Sequence, residues 1–382
     1  MKKTIRILLF FLLLAVACSF AAGAETVEDL YNEQLEASGG EELLRDLPDE
    51  NRLLDKLGIT GLEMDTFSNL KPQSVWNQML SLFSSQAGSQ AGSPVRACGV
   101  VLGIILLCAW MDGLKHTVRE PGSSEVFGVI CALAACGTVI VPIVSCIRSV
   151  SEAAESASIF MTSYVPVYAG VLLTSGQAAT AVSYQSVVLF AAELISLLAS
   201  GVVVPLMTIS LALGLTGSVT PGMKLDAAGN LMSKAAAWLL GLCCTLFVGL
   251  LSLQSLAGAA ADTLGGRAVK FTLSSFVPVV GNSLGEAFST IRSCLHLLKS
   301  TLGGFGILAT ALIVLPPLLE CVAWTLGLSL CVMASEMFGL TTLTTLLKAA
   351  QSVVKTLIGV LAACAMFLIV STAIVTMSMP AG

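Results

Sequence analysis

Two carboxylates interrupt long apolar runs and are the residues best placed to do chemistry. Glu193 lies inside the run 187–215, and Glu320 lies inside the run 303–333. A charge at the centre of a bilayer costs at least about 2.5 kcal/mol, so each carboxylate must face protein or water, or carry a proton. Each could line a conduit or a coupling site. The alternative is an interhelical hydrogen bond, or a position nearer to the membrane surface.

Prolines within apolar sequence form a second group of candidate positions. Proline has no backbone N–H and interrupts helical hydrogen bonding. The candidate conduit or helix-break prolines are Pro166, Pro205, Pro278, Pro316 and Pro317. Pro166 and Pro278 each stand in a Val-Pro-Val sequence at an offset of 112 residues, and the same offset relates Pro205 to Pro317. Such paired interruptions indicate Pro-broken helices around a midplane site, as in transporters. Chance similarity between apolar sequences is the alternative, and a repeat of three elements would make the two halves inverted.

The sequence contains no catalytic motif. A Walker A sequence, H-E-x-x-H and G-x-S-x-G are all absent, and these are the patterns that would point to an enzyme. The only histidines, His116 and His296, lie far apart, and the twelve cysteines include no CxxC pair. Cysteine in an apolar helix behaves as a small hydrophobic residue. We therefore expect no enzyme activity, no cofactor and no metal site.

The composition requires lipid around most of the chain. Hydrophobic residues make up 55% of the sequence and charged residues only 11%, whereas soluble domains carry about 25% charged residues. In lipid the backbone N–H and C=O groups must form hydrogen bonds within the protein, which only helices and closed β-barrels achieve. Because the sequence lacks the alternating pattern of a β-barrel, we expect the spans to be helices. The sequence predicts an all-α bundle of six or seven spans. The apolar runs are 95–111, 126–147, 187–215, 235–261, 303–333, 356–379 and a shorter seventh at 159–174.

The N-terminus has the features of a secretory signal. Basic residues at 2, 3 and 6 precede an apolar stretch at 7–16, and an Ala-Gly-Ala sequence ends at Ala24. We predict cleavage between Ala24 and Glu25. Two alternatives stay open: lipidation of Cys18 in a loose lipobox, and an uncleaved first helix shorter than the roughly 20 residues a span needs.

Charge divides the remainder into two parts. Residues 25–93 form an acidic exported helical segment and linker, and 94–382 form the multi-span domain. Residues 25–92 hold 13 of the 24 acidic residues and four of the 19 Lys and Arg. The exported segment is either a docking module for exported partners or a solvated stalk. No basic stripe supports nucleic-acid binding. The Lys and Arg bias leaves the side of the C-terminus undecided.

The segment 262–302 contains apolar stretches too short to span and a basic stripe. Arg292, Leu295, His296 and Lys299 recur at helical spacing. Such a stripe suits a lipid surface or a partner, and a solvated connector is the alternative.

The whole chain resembles the stage III sporulation protein AE family of endospore-forming bacteria. The two Val-Pro-Val segments are the most specific pieces. The matching sequences are Leu30-Tyr31, Gln34-Leu35, Ser38-Gly39, Leu47-Pro48, Leu53-Leu54, Leu57-Gly58-Ile59, Val165-Pro166-Val167-Tyr168-Ala169-Gly170, Arg267, Val269-Lys270-Phe271 and Phe276-Val277-Pro278-Val279-Val280-Gly281.

The resemblance implies a place in the mother-cell membrane around the engulfed forespore. The implied partners are other stage III proteins of the same cluster, including a cytosolic secretion-type ATPase and ring-forming proteins, a forespore channel protein opposite, and membrane lipid. The implied function is a membrane platform or conduit subunit of a trans-envelope feeding tube needed for endospore formation. The family offers no catalytic residues to carry over. The alternative is a secondary transporter or channel subunit that moves a small solute through Pro-broken repeat helices.

Overall fold

The architecture is a bundle of long helices. The computed structural model describes residues 32, 35–36, 92–114, 123–219, 225–276 and 281–377. The predicted cleavage site at Ala24 and Glu25, nearly all of the exported segment, and Pro278 lie outside these ranges. The elements are α1 (Gly92–Leu114), α2 (Ser123–Thr174), α3 (Ala178–Leu198), a π-helical turn (Ala199–Val203), α4 (Val204–Val219), α5 (Leu225–Phe276), α6 (Gly281–Met337) and α7 (Thr341–Met377).

Six helical stretches in the described ranges are long and apolar enough to cross a membrane, and no strand occurs there. By helix length and composition the chain is a multi-pass membrane protein, which confirms the predicted all-α fold class. The stretches are Pro94–Met111, Leu133–Thr174, Ala178–Gly217, Ala227–Leu264, Leu297–Met337 and Thr341–Ala373.

The apolar run 159–174 is not a separate seventh span. It is the second half of α2, which continues from the run 126–147. The polar sequence between the two runs contains neither glycine nor proline, so nothing ends the helix. Arg148, Glu152 and Glu155 keep a helical spacing and point outward there.

The helices are longer than one bilayer requires. At 1.5 Å per residue, the 52 residues of α2 extend about 78 Å, against a hydrocarbon core of about 30 Å. Helices α5 and α6, with 52 and 57 residues, are similar. The bundle therefore either tilts strongly or carries its helices beyond the hydrocarbon.

Side-chain contacts fix the directions of the helices. Tyr164 donates to the carbonyl of Leu302 and Cys146 donates to Glu320, so α2 and α6 are antiparallel. Ser158 donates to the carbonyl of Ala192 and Tyr168 packs on Tyr184, so α2 and α3 are antiparallel as well. The helices that contain Pro205 and Pro317 therefore run parallel. If the chain is duplicated, its repeat is direct and not inverted.

An aromatic row on α2 occupies the centre of the bundle. Phe160 stacks on Tyr164, and Tyr164 stacks on Tyr168, with ring centroids 5.3 and 5.6 Å apart. Phe305 of α6 packs against Phe160 with the ring centroids 6.3 Å apart. All four rings are at most 2% exposed. Aromatic pairs of this kind contribute about 0.5–1.5 kcal/mol beyond their burial, so this row joins α2 to α6.

Small residues allow the helices to approach closely. A Cβ atom on Gly306 would lie 2.6 Å from the Cζ and hydroxyl oxygen of Tyr164. A Cβ on Gly327 would collide with the sulfur of Cys98, and one on Gly214 with the Cβ of Ala349. Small residues at helix crossings favour association in membranes, where lipid provides no hydrophobic driving force between helices.

One pair of cysteines departs from the expectation that all of them pack as small hydrophobic residues. Cys108 of α1 and Cys131 of α2 form a disulfide bond. The nine other cysteines in the described ranges form no disulfide bond there, and most of them are buried. The covalent link joins α1 to α2.

Replacement of Gly306 should destabilise the bundle. We expect Gly306→Leu to cost about 1–3 kcal/mol, the usual penalty for overpacking a core, because Tyr164 cannot withdraw without losing its bond to Leu302. The matched control is Gly304→Leu, since a Cβ there meets nothing within 4 Å. Thermal unfolding in detergent measures the difference. Equal melting temperatures for the two variants would contradict the packing described.

Candidate functional site

Glu320 of α6 lies against α2 and is bonded within the protein. Its Oε1 accepts a hydrogen bond from the thiol of Cys146 at 3.5 Å. Cys146 and the adjacent Cys321 are at most 1% exposed, whereas Glu320 is half-buried. This contact corresponds to the interhelical hydrogen bond considered from the sequence. It holds the carboxylate at the α2–α6 contact, close to two prolines.

Glu193 of α3 faces outward. Its side chain is exposed, although its neighbour Ala192 is buried and accepts a hydrogen bond from Ser158. Glu193 and Glu320 thus occupy different surroundings, and the described contacts do not bring them together.

The candidate prolines lie mostly outside the core. Pro166 is exposed and α2 continues through it, so the helix break expected at that position is wrong. A membrane helix tolerates proline when local adjustments and neighbouring groups satisfy the freed carbonyl. Pro316 is half-buried and Pro317 buried, and both lie inside the continuous helix α6.

Pro205 is associated with a change of helical geometry. It follows the π-helical turn, in which the N–H of Val204 bonds to the carbonyl of Ala199 five residues earlier. A π turn contains an extra residue and is a common cause of a bend. Of the described prolines, Pro205 is therefore the one next to altered hydrogen bonding, and its own side chain is exposed.

A polar contact that the sequence did not predict lies where α2 turns into α3. Asp262 of α5 accepts hydrogen bonds from the backbone N–H groups of Ala179 and Thr180 at 2.9 and 3.0 Å, and from the Thr180 hydroxyl at 2.6 Å. The first N–H groups of a helix lack partners within it. Asp262 therefore caps α3 from a distant helix.

Lys299 completes the polar contacts at this end of the bundle. Its ammonium donates to Oε1 of Gln177 at 3.2 Å, and its side chain is only 3% exposed. The prediction that the basic stripe faces lipid or a partner is therefore wrong for Lys299, because this residue lies inside the protein. Close packing reinforces this end, since a Cβ on Gly258 would lie 3.0 Å from Thr180.

A groove of about 750 Å³ lies between α5 and α7. It is apolar along most of its length, and Lys234 and Lys355 line it together with Ser233 and Ser352. Neither lysine is among the candidate site residues predicted from the sequence. The sequence feature that could have identified Lys234 and Lys355 is their position, because each directly precedes a long stretch without charged residues, 235–261 and 356–382 respectively.

Comparison with known proteins gives the lineage of this bundle. The family model described as stage III sporulation protein AE matches residues 63–378. The chain belongs to the stage III sporulation protein AE family. This confirms the resemblance carried by the sequence and makes the chain a membrane protein involved in sporulation. The match includes α1 to α7.

One curated member of the family is related over part of its length. The Bacillus subtilis (strain 168) protein named stage III sporulation protein AE is 28% identical over 217 residues. The match covers 56% of this chain and 54% of that protein, so it spans about half the length of the relative. No solved structure matches the chain.

Removal of the Asp262 carboxylate should loosen the start of α3. We expect Asp262→Ala to destabilise the protein by about 0.5–2 kcal/mol, the usual cost of losing an N-terminal cap. Asp262→Asn keeps one acceptor oxygen and should cost less. Hydrogen exchange measured by mass spectrometry should rise in peptides that contain Ala179 and Thr180. Thr263→Val is the control, because its hydroxyl bonds only within its own helix; equal exchange in all variants would argue against the cap.

Proposed function

We propose that this family member is a non-catalytic membrane platform of the stage III sporulation assembly in the mother-cell membrane. The observation that carries the proposal is the packing of the bundle. In the described ranges the centre is filled by large side chains, with Trp324, Tyr164, Tyr168 and Phe305 at most 1% exposed. A centre packed in this way favours the role of a scaffold for the single chain. Any passage would then form between copies or between partners.

The positions of the candidate residues support the same conclusion. Glu193, Pro166 and Pro205 lie on the outside of the bundle. The described groove opens to the side and includes none of the carboxylates or prolines considered from the sequence. The outward positions of Glu193, Pro166 and Pro205 support a platform rather than a path through the chain.

The outer face of α2 offers a contact for a partner. Arg148, Glu152 and Glu155 are exposed at helical spacing, and none forms an ion pair with another described residue. Charges facing hydrocarbon are costly and normally meet water or another polar group. We infer that this charged face contacts another protein of the assembly. The partners suggested by the resemblance are the cytosolic ATPase, the ring-forming proteins and the forespore channel protein.

A transporter or channel subunit is the second candidate, and the Glu320 contact favours it. A half-buried carboxylate follows two prolines inside an apolar helix and meets a cysteine on the neighbouring helix. Intramembrane carboxylates commonly mark ion or proton pathways. A coupling role for Glu320 would require its charge, whereas a structural role requires only a hydrogen-bond acceptor.

Charge reversal on α2 tests the platform. We expect Arg148→Glu to reduce co-purification of the chain with the stage III proteins by about tenfold or more, because like charges at a contact cost several kcal/mol. Sporulation should fall with it. Arg96→Glu is the control, since Arg96 is also exposed but lies on a different helix, α1. Undiminished assembly of the Arg148 variant would remove the support for this contact.

Neutralisation of Glu320 separates the two candidate functions. The amide of Glu320→Gln can still accept the Cys146 hydrogen bond, so the platform predicts spore counts within about twofold of normal, as for a conservative buried change. Pro166→Ala and Pro278→Ala should also be tolerated. Spore counts and co-purification are measured together. A large loss of spores with an intact assembly would favour transport over the platform.

A further inference from the structure

The groove between α5 and α7 has one basic end and one apolar end. Phe247 packs on Phe367 with ring centroids 4.0 Å apart, and Cys244 lies beside Cys364. Residue numbers increase in the same direction along both helices from one pair to the other, so α5 and α7 are parallel. Lys234 and Lys355 then lie level with each other, each about 18–20 Å from the phenylalanine pair at 1.5 Å per residue.

The two lysines have no partner within the described protein. Both side chains are exposed, and neither is within ion-pair distance of a described carboxylate. Lys348, by contrast, is paired with Glu336 at 2.6 Å. Two ammonium groups that line one end of the same groove repel each other, so an anion would stabilise this end.

Beyond the lysines the groove is lined by small and apolar residues. Gly241, Gly359 and Ala362 are exposed on its floor, while Val248 and Met366 lie towards its far end. A Cβ on either glycine would meet nothing within 4 Å. No charged residue occurs on α5 or α7 over this length. The groove thus opens sideways onto the hydrocarbon and has room for a chain of methylene groups.

We propose that this groove binds an anionic phospholipid. The phosphate lies between Lys234 and Lys355, and one acyl chain follows the groove towards Met366. The lysines begin the charge-free stretches of two parallel helices, which is where a membrane surface meets the hydrocarbon. Lysine stems extend along apolar surface and place their charge at that boundary. The volume is within the range of ligand pockets, and a lipid provides both the anion and the apolar tail.

Lipid titration of the full-length protein tests the proposal. Native mass spectrometry in detergent compares phosphatidylglycerol with phosphatidylcholine of the same acyl chains. We expect one phosphatidylglycerol to bind about 30-fold more tightly than phosphatidylcholine, since each of the two lysines near an anionic lipid contributes roughly fivefold in affinity. The double variant with Lys234→Gln and Lys355→Gln should lose this preference. Lys348→Gln is the matched control and should keep it.

A second variant tests the tail. Gly359→Leu fills the groove without a backbone clash and should weaken binding of both lipids. Gly249→Leu is the control, because Gly249 is an exposed glycine of α5 that does not line the groove, and it should leave lipid binding unchanged. No preference for phosphatidylglycerol, or a preference that survives the double lysine change, would overturn the proposal. If inorganic phosphate displaces the lipid at equal concentration, the groove is a site for a free anion and the proposal is overturned. If a protein segment is found protected in the groove, the occupant is a docked helix and the proposal is overturned as well.

Discussion

Hydrocarbon offers no hydrogen bonds, and this constraint determines the rest of the structure. Every backbone N–H and C=O group must be satisfied by the chain itself, so the described part of the bundle is helical throughout its apolar stretches. Hydroxyl groups follow the same rule: Thr162, Thr208 and Thr310 donate to carbonyls four residues earlier in their own helices. At the start of α3, where backbone N–H groups have no helical partner, Asp262 accepts from two of them.

Once the backbone is satisfied, close packing must hold the helices together, because lipid is as apolar as the side chains. The contact between Tyr164 and Gly306 shows both requirements at one position. The absent side chain of glycine lets the tyrosine ring approach α6, and the hydroxyl bonds to the carbonyl of Leu302. A centre filled by rings gives rigidity and leaves no room there for a wide passage. This packing is the physical reason for preferring a platform to a conduit through one chain.

The sequence predicted what depends on local composition. Charge-free runs identified the spans, because the transfer cost of charge is large and needs no knowledge of neighbours. The continuity of α2 was not predicted, because the polar residues around Glu152 separate two apolar runs in the sequence. In the structure these residues keep helical spacing and are exposed. The cap by Asp262 and the burial of Lys299 could not be predicted, because each depends on a residue more than 80 positions away. Pro166 was expected to break its helix and does not, since a missing N–H does not by itself end a membrane helix.

The unpaired charges of the bundle are the strongest guide to its surroundings. Inside the protein, Lys299 and Asp262 have partners, and at the α6–α7 turn Lys348 is paired with Glu336. The charges on the outer face of α2 and at the groove have no such partner among the described residues, although they lie on long apolar helices. Because an unpaired charge near hydrocarbon is costly, these two surfaces are the ones for which we propose a protein partner at α2 and a lipid headgroup at the groove.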